Sequence, residues 1–323
     1  RTRRLSEKAN PLRQVIASLL PIVILLALGA GLVWWKFIDE HVRKGMERFV
    51  YWVSLPALLI TATAGVNFSE AAAGRLTATL CLATLAMVVL AWALARVFRL
   101  DPGEVGVFTQ AAFRSNLVFV GLPVLIFALE ARQTPNAQSL VGGAVLAIAP
   151  VVLLYNFASV LALLVPHHAS AAGMAPKLAK SIVTNPLILA CVVGLIFALT
   201  SLRIPGPINK SLQMIGNTAG PLALIALGGA LVSLPLRGKT GKATLATMLK
   251  VAGLPLLTWP IAWALGLPEA QTLTAMVLTA SPTAVASYVL STLLRGDPAL
   301  AASCVTLSTL ACIPALGVVL YLV

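Results

Sequence analysis

The sequence predicts an all-α membrane protein of ten transmembrane helices. They form two inverted five-helix repeats, with the fourth and ninth helices broken at membrane depth. Three observations lead there. Hydrophobic residues make up 59% of the 323 residues and charged residues 10%, against about 45–50% and 25% in a soluble domain. Apolar stretches near the ~20 residues needed to cross a bilayer recur from end to end. Proline breaks fall at equivalent places in two halves of the chain.

The ten segments run over 14–37, 45–64, 76–97, 104–128, 140–165, 181–200, 208–232, 244–265, 270–294 and 299–322. Nothing of size remains outside them, so residues 1–323 read as a single transmembrane domain. The first apolar run has no small-residue cleavage site before a soluble domain, and reads as a spanning helix rather than a signal peptide. Two five-helix units follow, 14–165 and 181–322. The second helix carries Pro56-Ala57-Leu58-Leu59-Ile60 and the seventh Pro221-Leu222-Ala223-Leu224-Ile225. The fourth breaks near Asn116 and Gly121-Leu122-Pro123 and the ninth at Ser281-Pro282-Thr283. Five helices is an odd number, so the second unit enters the membrane inverted, a plan common among secondary transporters.

The net charge of +13 serves topology rather than nucleic acid, because Lys and Arg lie in short loops beside apolar spans. Twelve of them, including Lys44, Arg48, Arg96, Lys239 and Arg295, fall on one side. Arg75, Arg132, Arg203 and Lys210 fall on the other. The positive-inside rule makes the first side cytoplasmic and both termini external. The basic tail with Arg1, Arg3, Arg4, Lys8 and Arg13 works against that orientation. The expected location is a bacterial inner membrane, crossed many times.

The segment from Phe113 to Pro123 carries the strongest functional signal. Arg114 and Asn116 lie about ten residues inside a span, ~15 Å deep by helical rise. A charge at the bilayer centre costs ~2.5–3.5 kcal/mol on insertion scales and seldom persists without a partner or a task. Arg114 can anchor a carboxylate with its planar fork, snorkel to the surface, or pair with backbone carbonyls. Asn116 can bind substrate or cap the broken half-helix. Non-helical backbone at this depth survives only when buried in protein or lining a watery cavity. Two equivalent breaks therefore point to one site where they meet, with helix N-termini offering N–H donors to an anion.

The candidate substrate-binding set is Arg114, Asn116, Gly121, Pro123, Ser281, Pro282, Thr283 and Ser287, with Asn217 and Thr218 as candidate cavity lining. Small polar residues also glue membrane helices together, so the Ser and Thr members keep that second reading. Tyr155 and Asn156 interrupt the fifth helix and are expected to face the interior. Lys250 is expected to snorkel to the cytoplasmic surface. Pro21, Pro150, Pro186, Pro255 and Pro260 are expected only to kink their helices.

An enzyme is not expected. His41, His167 and His168 lie in or beside loops, and no Gly-x-Ser-x-Gly, His-Glu-x-x-His or Gly-rich phosphate loop occurs. Cys81, Cys191, Cys304 and Cys312 sit in apolar spans without metal-ligand spacing. No catalytic residue, metal or cofactor is expected. No span holds a central Asp or Glu, so a titrating substrate would carry any coupled proton. The coupling ion is expected to be H⁺, with Na⁺ as the alternative.

Four stretches together resemble the auxin efflux carrier family, whose bacterial members include malonate- and malate-type organic acid transporters. They are Ser115-Asn116 through Gly121-Leu122-Pro123, Asn185-Pro186-Leu187, Gly220-Pro221-Leu222-Ala223-Leu224 through Gly228, and Ser281-Pro282-Thr283-Ala284. The resemblance covers nearly the whole chain. It implies fourth and ninth helices that cross at their breaks, with Asn116, Pro123 and Pro282 at the crossover. It also implies a scaffold of helices one, two, six and seven, a mobile transport domain, and elevator-like alternating access. Three departures point away from auxin as substrate. Arg114 stands where a small or apolar residue is expected, Ser287 stands where members often have Asn, and the third helix lacks the acidic and basic pair of plant members.

The expected function is a secondary transporter for a small organic anion, a mono- or dicarboxylate. The alternatives are a sodium-coupled bile-acid-type symporter of the related superfamily, and a membrane receptor or passive channel. Expected partners are the anion, the lipid bilayer and a second copy of the chain as a homodimer, with no nucleic acid.

Overall fold

The computed structural model describes residues 11–64, 73–167, 184, 186–200, 202–233 and 239–323. Asn185, Lys177, Lys180, Arg237, the Arg1–Lys8 tail and most of the linker between the two halves lie outside them. The described residues are helical and contain no strand.

The chain opens with α1 (Pro11–Trp34), followed by α2 (Glu40–Phe49) and α3 (Leu55–Ala64). Then come α4 (Ala73–Val97), α5 (Pro102–Phe113), α6 (Leu122–Ala131) and α7 (Ala137–Leu164). The second half contains α8 (Pro186–Thr200), α9 (Gly206–Asn217), α10 (Ala219–Ser233), α11 (Thr240–Met248) and α12 (Leu254–Ala264). It ends with α13 (Glu269–Ala280), α14 (Ala286–Leu293) and α15 (Pro298–Leu322). Among the described residues six stretches are long and apolar enough to cross a membrane: Val15–Trp34, Gly74–Val97, Ala137–Leu164, Gly206–Val232, Thr240–Ala264 and Pro298–Leu322. The other expected spans differ for identifiable reasons. Two are cut by extended breaks, the sixth begins beyond the described residues, and the second starts in the charged helix α2. Pro186 opens α8 rather than kinking it.

Among the described residues three π-helical turns interrupt the spans: Val50–Ser54, Leu117–Gly121 and Leu249–Gly253. Each is followed by Leu-Pro (Leu55-Pro56, Leu122-Pro123, Leu254-Pro255). Proline brings no N–H and its ring crowds the carbonyl four residues back. The ladder widens instead, so the N–H of Leu55 reaches the Val50 carbonyl, Leu122 reaches Leu117 and Leu254 reaches Leu249.

The helices sort into two packed groups. In one, α1 lies along α10, and α3 lies against α8 and α9. The α1–α10 approach is backbone to backbone, since a Cβ on Gly29 would stand 2.0 Å from the Ile225 carbonyl oxygen and one on Gly228 2.0 Å from that of Leu26. Gly there permits the contact, as small residues do between membrane helices. In the other group, α4 packs on α5, α7 and α12, while α15 packs on α5, α11, α13 and α14. The groups touch mainly through α1 with α6 and α15, and α3 with α7.

Charges cap the helix ends. Glu104, 1% exposed, binds the ammonium groups of Lys239 at 2.7 Å and Lys242 at 2.6 Å. Lys239 also binds Asp297. This knot ties the starts of α5, α11 and α15 at one end of the molecule. At the other end the Arg75 guanidinium donates to the Gly266 carbonyl at 2.8 Å, and that of Arg132 donates to the Leu320 carbonyl. Lys250 does not snorkel. It is fully buried in the π turn between α11 and α12, because that face of the turn packs on α13 and α15.

Candidate functional site

The two breaks meet. At the end of α5 the chain leaves helical geometry at Arg114 (φ −77°, ψ 89°). At the end of α13 it becomes extended at Ser281 (φ −62°, ψ 153°). The extended pieces pair antiparallel, with Ser115 opposite Thr283. The Asn116 N–H donates to the Pro282 carbonyl at 2.7 Å, and the Ala284 N–H donates to the Arg114 carbonyl at 2.9 Å. Backbone groups that no water or helix would satisfy at this depth thus satisfy each other.

A cavity of about 630 Å³ lies beside this crossing. Its inner wall holds Arg114, Ser115 and Asn116, the helix start Leu117–Phe119, and the opposing start 284–286. Tyr155 and Asn156 of α7 form one side, and Ala223, Ala226 and Leu227 of α10 the other. The rim carries Lys44, Glu47 and Arg48 of α2, with Tyr51 and Trp52 below them. The cavity therefore lies between the two packed groups of helices.

Arg114 is held by α7. One terminal nitrogen donates to Ser159 Oγ at 3.1 Å and the other to Asn156 Oδ1 at 2.9 Å. A guanidinium has five donors, so capacity remains beyond these two neutral partners. No carboxylate pairs with it among the described residues. Tyr155 is buried, and its ring packs at 5.8 Å from that of the fully buried Phe113. These contacts hold the wall on which Arg114 stands.

Asn116 is 6% exposed and its side chain makes no capping bond to the helix it precedes. Its carbonyl starts that helix, accepting from Val120 at 3.2 Å and Gly121 at 2.9 Å. The N–H groups of Leu117–Phe119 come before Val120, the first donor of that ladder, so they are the open donors of a helix N-terminus. The second half brings another helix start at 284–286, where the Ala284 N–H is taken by the Arg114 carbonyl and those of Val285 and Ala286 precede the first donor, Ser287. Two positive helix ends and one guanidinium therefore face a single cavity, an arrangement suited to an anion.

The remaining candidates take other places. Ser281 and Thr283 do not line the cavity. Ser281 Oγ donates to the Leu278 carbonyl at 2.6 Å, and Thr283 Oγ1 to the Ala111 carbonyl at 2.8 Å. Both satisfy carbonyls that the breaks orphan. Pro282 acts through its own carbonyl. Gly121 is packed behind the wall, where an added Cβ would meet Leu278 Cδ2 at 3.1 Å and Ser281 Oγ at 3.3 Å. Pro123 is buried against Gly220 of α10. Ser287 is buried away from the cavity, its carbonyl accepting from Gln110 Nε2 at 3.1 Å.

Asn217 and Thr218 are not among the residues that line this cavity. Asn217 is exposed at the end of α9. Thr218 Oγ1 lies 2.8 Å from Ser54 Oγ, joining the α9–α10 kink to the π turn before α3. Sequence reasoning also missed the rim. Lys44 and Arg48, four residues apart on one face of α2, were the available signal, but their charge served only to orient the loops.

The membrane transport protein family (Mem_trans) matches residues 14–320, nearly the whole chain. An uncharacterized transporter of Methanothermobacter thermautotrophicus is 28% identical over 294 residues, covering 91% of this chain and 93% of that protein. Both matches span both breaks and the cavity between them. This is a multi-pass integral membrane protein, and it belongs to the membrane transport protein family.

Proposed function

We propose that the protein is a secondary transporter that moves a small organic anion, a mono- or dicarboxylate, through the cavity at the crossing. One observation carries this reading: a guanidinium with spare donors and two helix N-termini converge on a cavity of about 630 Å³. Arg114 receives the carboxylate through charge-assisted hydrogen bonds. Asn116 adds an amide, and the amides of Leu117–Phe119 complete the anion's shell. Ser281, Pro282, Thr283, Gly121 and Pro123 serve by holding the crossing in shape.

The packing supports ten crossings in two inverted repeats. If the fifteen helices are grouped into ten spans, span one on seven (α1–α10) mirrors six on two (α8–α3). Span three on four (α4–α5) mirrors eight on nine (α12–α13), and three on five (α4–α7) mirrors eight on ten (α11–α15). A pseudo-two-fold relation between the halves demands these equalities. The two packed groups then act as scaffold and moving part of an elevator-like cycle. The Lys44 and Arg48 rim faces the cytoplasm of a bacterial inner membrane. Transport is coupled to H⁺ or runs down the anion gradient, and a homodimer is the proposed assembly.

The test starts with thermal shifts of the purified protein against a series of mono- and dicarboxylates, at two pH values and with or without Na⁺. At least one carboxylate should raise the midpoint, and the same anion should show counterflow in proteoliposomes. Arg114→Ala should abolish the uptake while remaining monodisperse. Unchanged anion affinity in that variant would remove Arg114 from the site. Uptake that requires Na⁺ would replace the proton reading with a sodium symporter, and absent counterflow would favour a channel or receptor.

A further inference from the structure

Lys250 has no part in the anion site, yet it is a charged side chain that is 0% exposed. It lies ten residues along from Thr240, the start of α11, ~15 Å by helical rise. An ionisable group at that depth calls for a named partner. Its ammonium donates to the Thr279 carbonyl at 2.5 Å.

That carbonyl belongs to the last turn of α13, the half-helix that ends at the second break. Such an end leaves carbonyls without helical partners. Here they can be followed one by one. The Val277 carbonyl accepts the Ser281 N–H. The Leu278 carbonyl would need an N–H from Pro282, which has none, and accepts Ser281 Oγ instead. The Thr279 carbonyl loses the Thr283 N–H, which turns to Ser308 Oγ at 3.0 Å. Lys250 takes the vacant place. The negative end of a helix dipole thus meets a positive charge.

The other charged groups around the turn are engaged elsewhere. Within α4 there is no Asp or Glu; its Arg75 binds Gly266 and its Arg96 stacks on Trp92. On α5, Glu104 is held by Lys239 and Lys242. On α13, Glu269 stands in the opposite end turn. On α15, Asp297 caps the far end and binds Lys239, while the Cys312 thiol donates to the Thr309 carbonyl at 3.1 Å. No carboxylate pairs with Lys250 among the described residues.

We propose that the Lys250 ammonium is a tethered monovalent cation. It occupies a carbonyl site at the end of α13 that a small cation from solution would otherwise fill, and it makes the second break independent of inorganic cations. Its meaning for coupling rests on the transporter reading, since a built-in cation leaves no need for Na⁺ at this break. The site itself does not rest on that reading.

The experiment measures the thermal midpoint of purified wild type, Lys250→Ala and Lys250→Met. Each is titrated with NaCl, KCl or methylammonium chloride, with choline chloride holding ionic strength constant. Wild type should be flat in all three salts. Lys250→Ala should melt several degrees lower and recover at least half of that loss, saturably, with methylammonium. Lys250→Met fills the volume without the charge, and should melt lower and respond to none. A saturable rise of wild type with Na⁺ would overturn the proposal. So would a Lys250→Ala protein that is monodisperse but unresponsive, or cannot be recovered even with methylammonium present. A Lys250→Met protein as stable as wild type would do the same, since volume alone would then account for the residue. These readouts need no substrate, so they stand whether or not any carboxylate is transported.

Discussion

The break after α5 and the break after α13 pair with each other, but they are built from different materials. At the first break the side chains of Arg114 and Asn116 line the cavity and the backbone does the bracing. At Ser281–Thr283 the side chains turn back onto carbonyls, and only the following residues, 284–286, reach the cavity wall. Each break also has a cation nearby. Arg114 has neutral partners and spare donors at the cavity, whereas Lys250 is spent on the Thr279 carbonyl and sealed from water. One break is therefore equipped to recognise a ligand and the other to hold the crossing rigid. Two-fold placement of breaks does not imply two-fold chemistry.

Substitutions on the two sides should separate along that line. The largest effect is expected at Arg114. Loss of a charge-assisted hydrogen bond costs about 1.5–3 kcal/mol, so Arg114→Ala should weaken carboxylate binding by roughly 10- to 100-fold. Its melting midpoint should stay near wild type, because the Asn156 side chain lines the cavity and can turn to water there. Titration of the midpoint with the best carboxylate measures both quantities. A stability collapse with unchanged affinity would reverse the roles of the two breaks. Thr283→Val should do the opposite. It strips the hydroxyl from the buried Ala111 carbonyl, a loss of about 1–3 kcal/mol in stability, and leaves affinity alone, since Thr283 does not touch the cavity.

Asn116 sharpens the comparison, because its two contributions are separable. The backbone makes the crossing, so Asn116→Ala keeps both Pro282 and Gly121 contacts. Only the amide in the cavity is lost, worth about 0.5–1.5 kcal/mol of anion affinity. Isothermal binding to Asn116→Ala and to the double variant with Arg114→Ala would give the coupling between them. Additive losses would mean that the two side chains touch different ligands or different parts of one.

The second break was legible because proline acts on the backbone directly, and Ser281-Pro282-Thr283 announces lost hydrogen bonds whatever surrounds it. Gly121-Leu122-Pro123 announces them too, but it lies within helix, and the extended break of the first half comes before it at Arg114–Asn116. The π turns were not legible, because Leu55-Pro56, Leu122-Pro123 and Leu254-Pro255 each follow one while Leu20-Pro21 lies in the unbroken helix α1. The azimuth of each side chain was not legible. A hydroxyl at membrane depth meets its bonding need equally well in a cavity or on a carbonyl one turn away, so Ser281, Thr283 and Thr218 could not be assigned from chemistry alone. Lys250 failed for the same reason. Snorkelling requires the stem to lie along a face that leads to the surface, and its face leads into α13 and α15. The rim was missed because charge on α2 meets the topology rule and the entrance of an anion with one set of residues.

The smallest expected effect lies farthest from either break, at the knot of Glu104, Lys239, Lys242 and Asp297. Burial works against the Asp297 carboxylate, but the hydrogen bond from Lys239 prevails and holds it below the usual range. The bonds from Asp297 and Glu104 hold the Lys239 ammonium above its usual range. A depressed acid contributes stability above its unfolded value, about 4, and loses it as pH falls through the folded value. A raised amine contributes fully below its unfolded value, about 10.4, and loses that only as pH rises. The knot is thus intact at neutral pH and should fail first in acid. Lys239 is 38% exposed, so water and salt screen much of its attraction, and Lys239→Met should cost about 1 kcal/mol or less. The variant should also lose part of the wild type's acid-induced fall in melting midpoint, with no change in anion affinity at pH 7. A marked loss of affinity would mean that the knot at the ends of α5, α11 and α15 also sets the geometry of the crossing, and that rigidity at the second break is borrowed from the helix ends rather than made by Thr283 and Lys250.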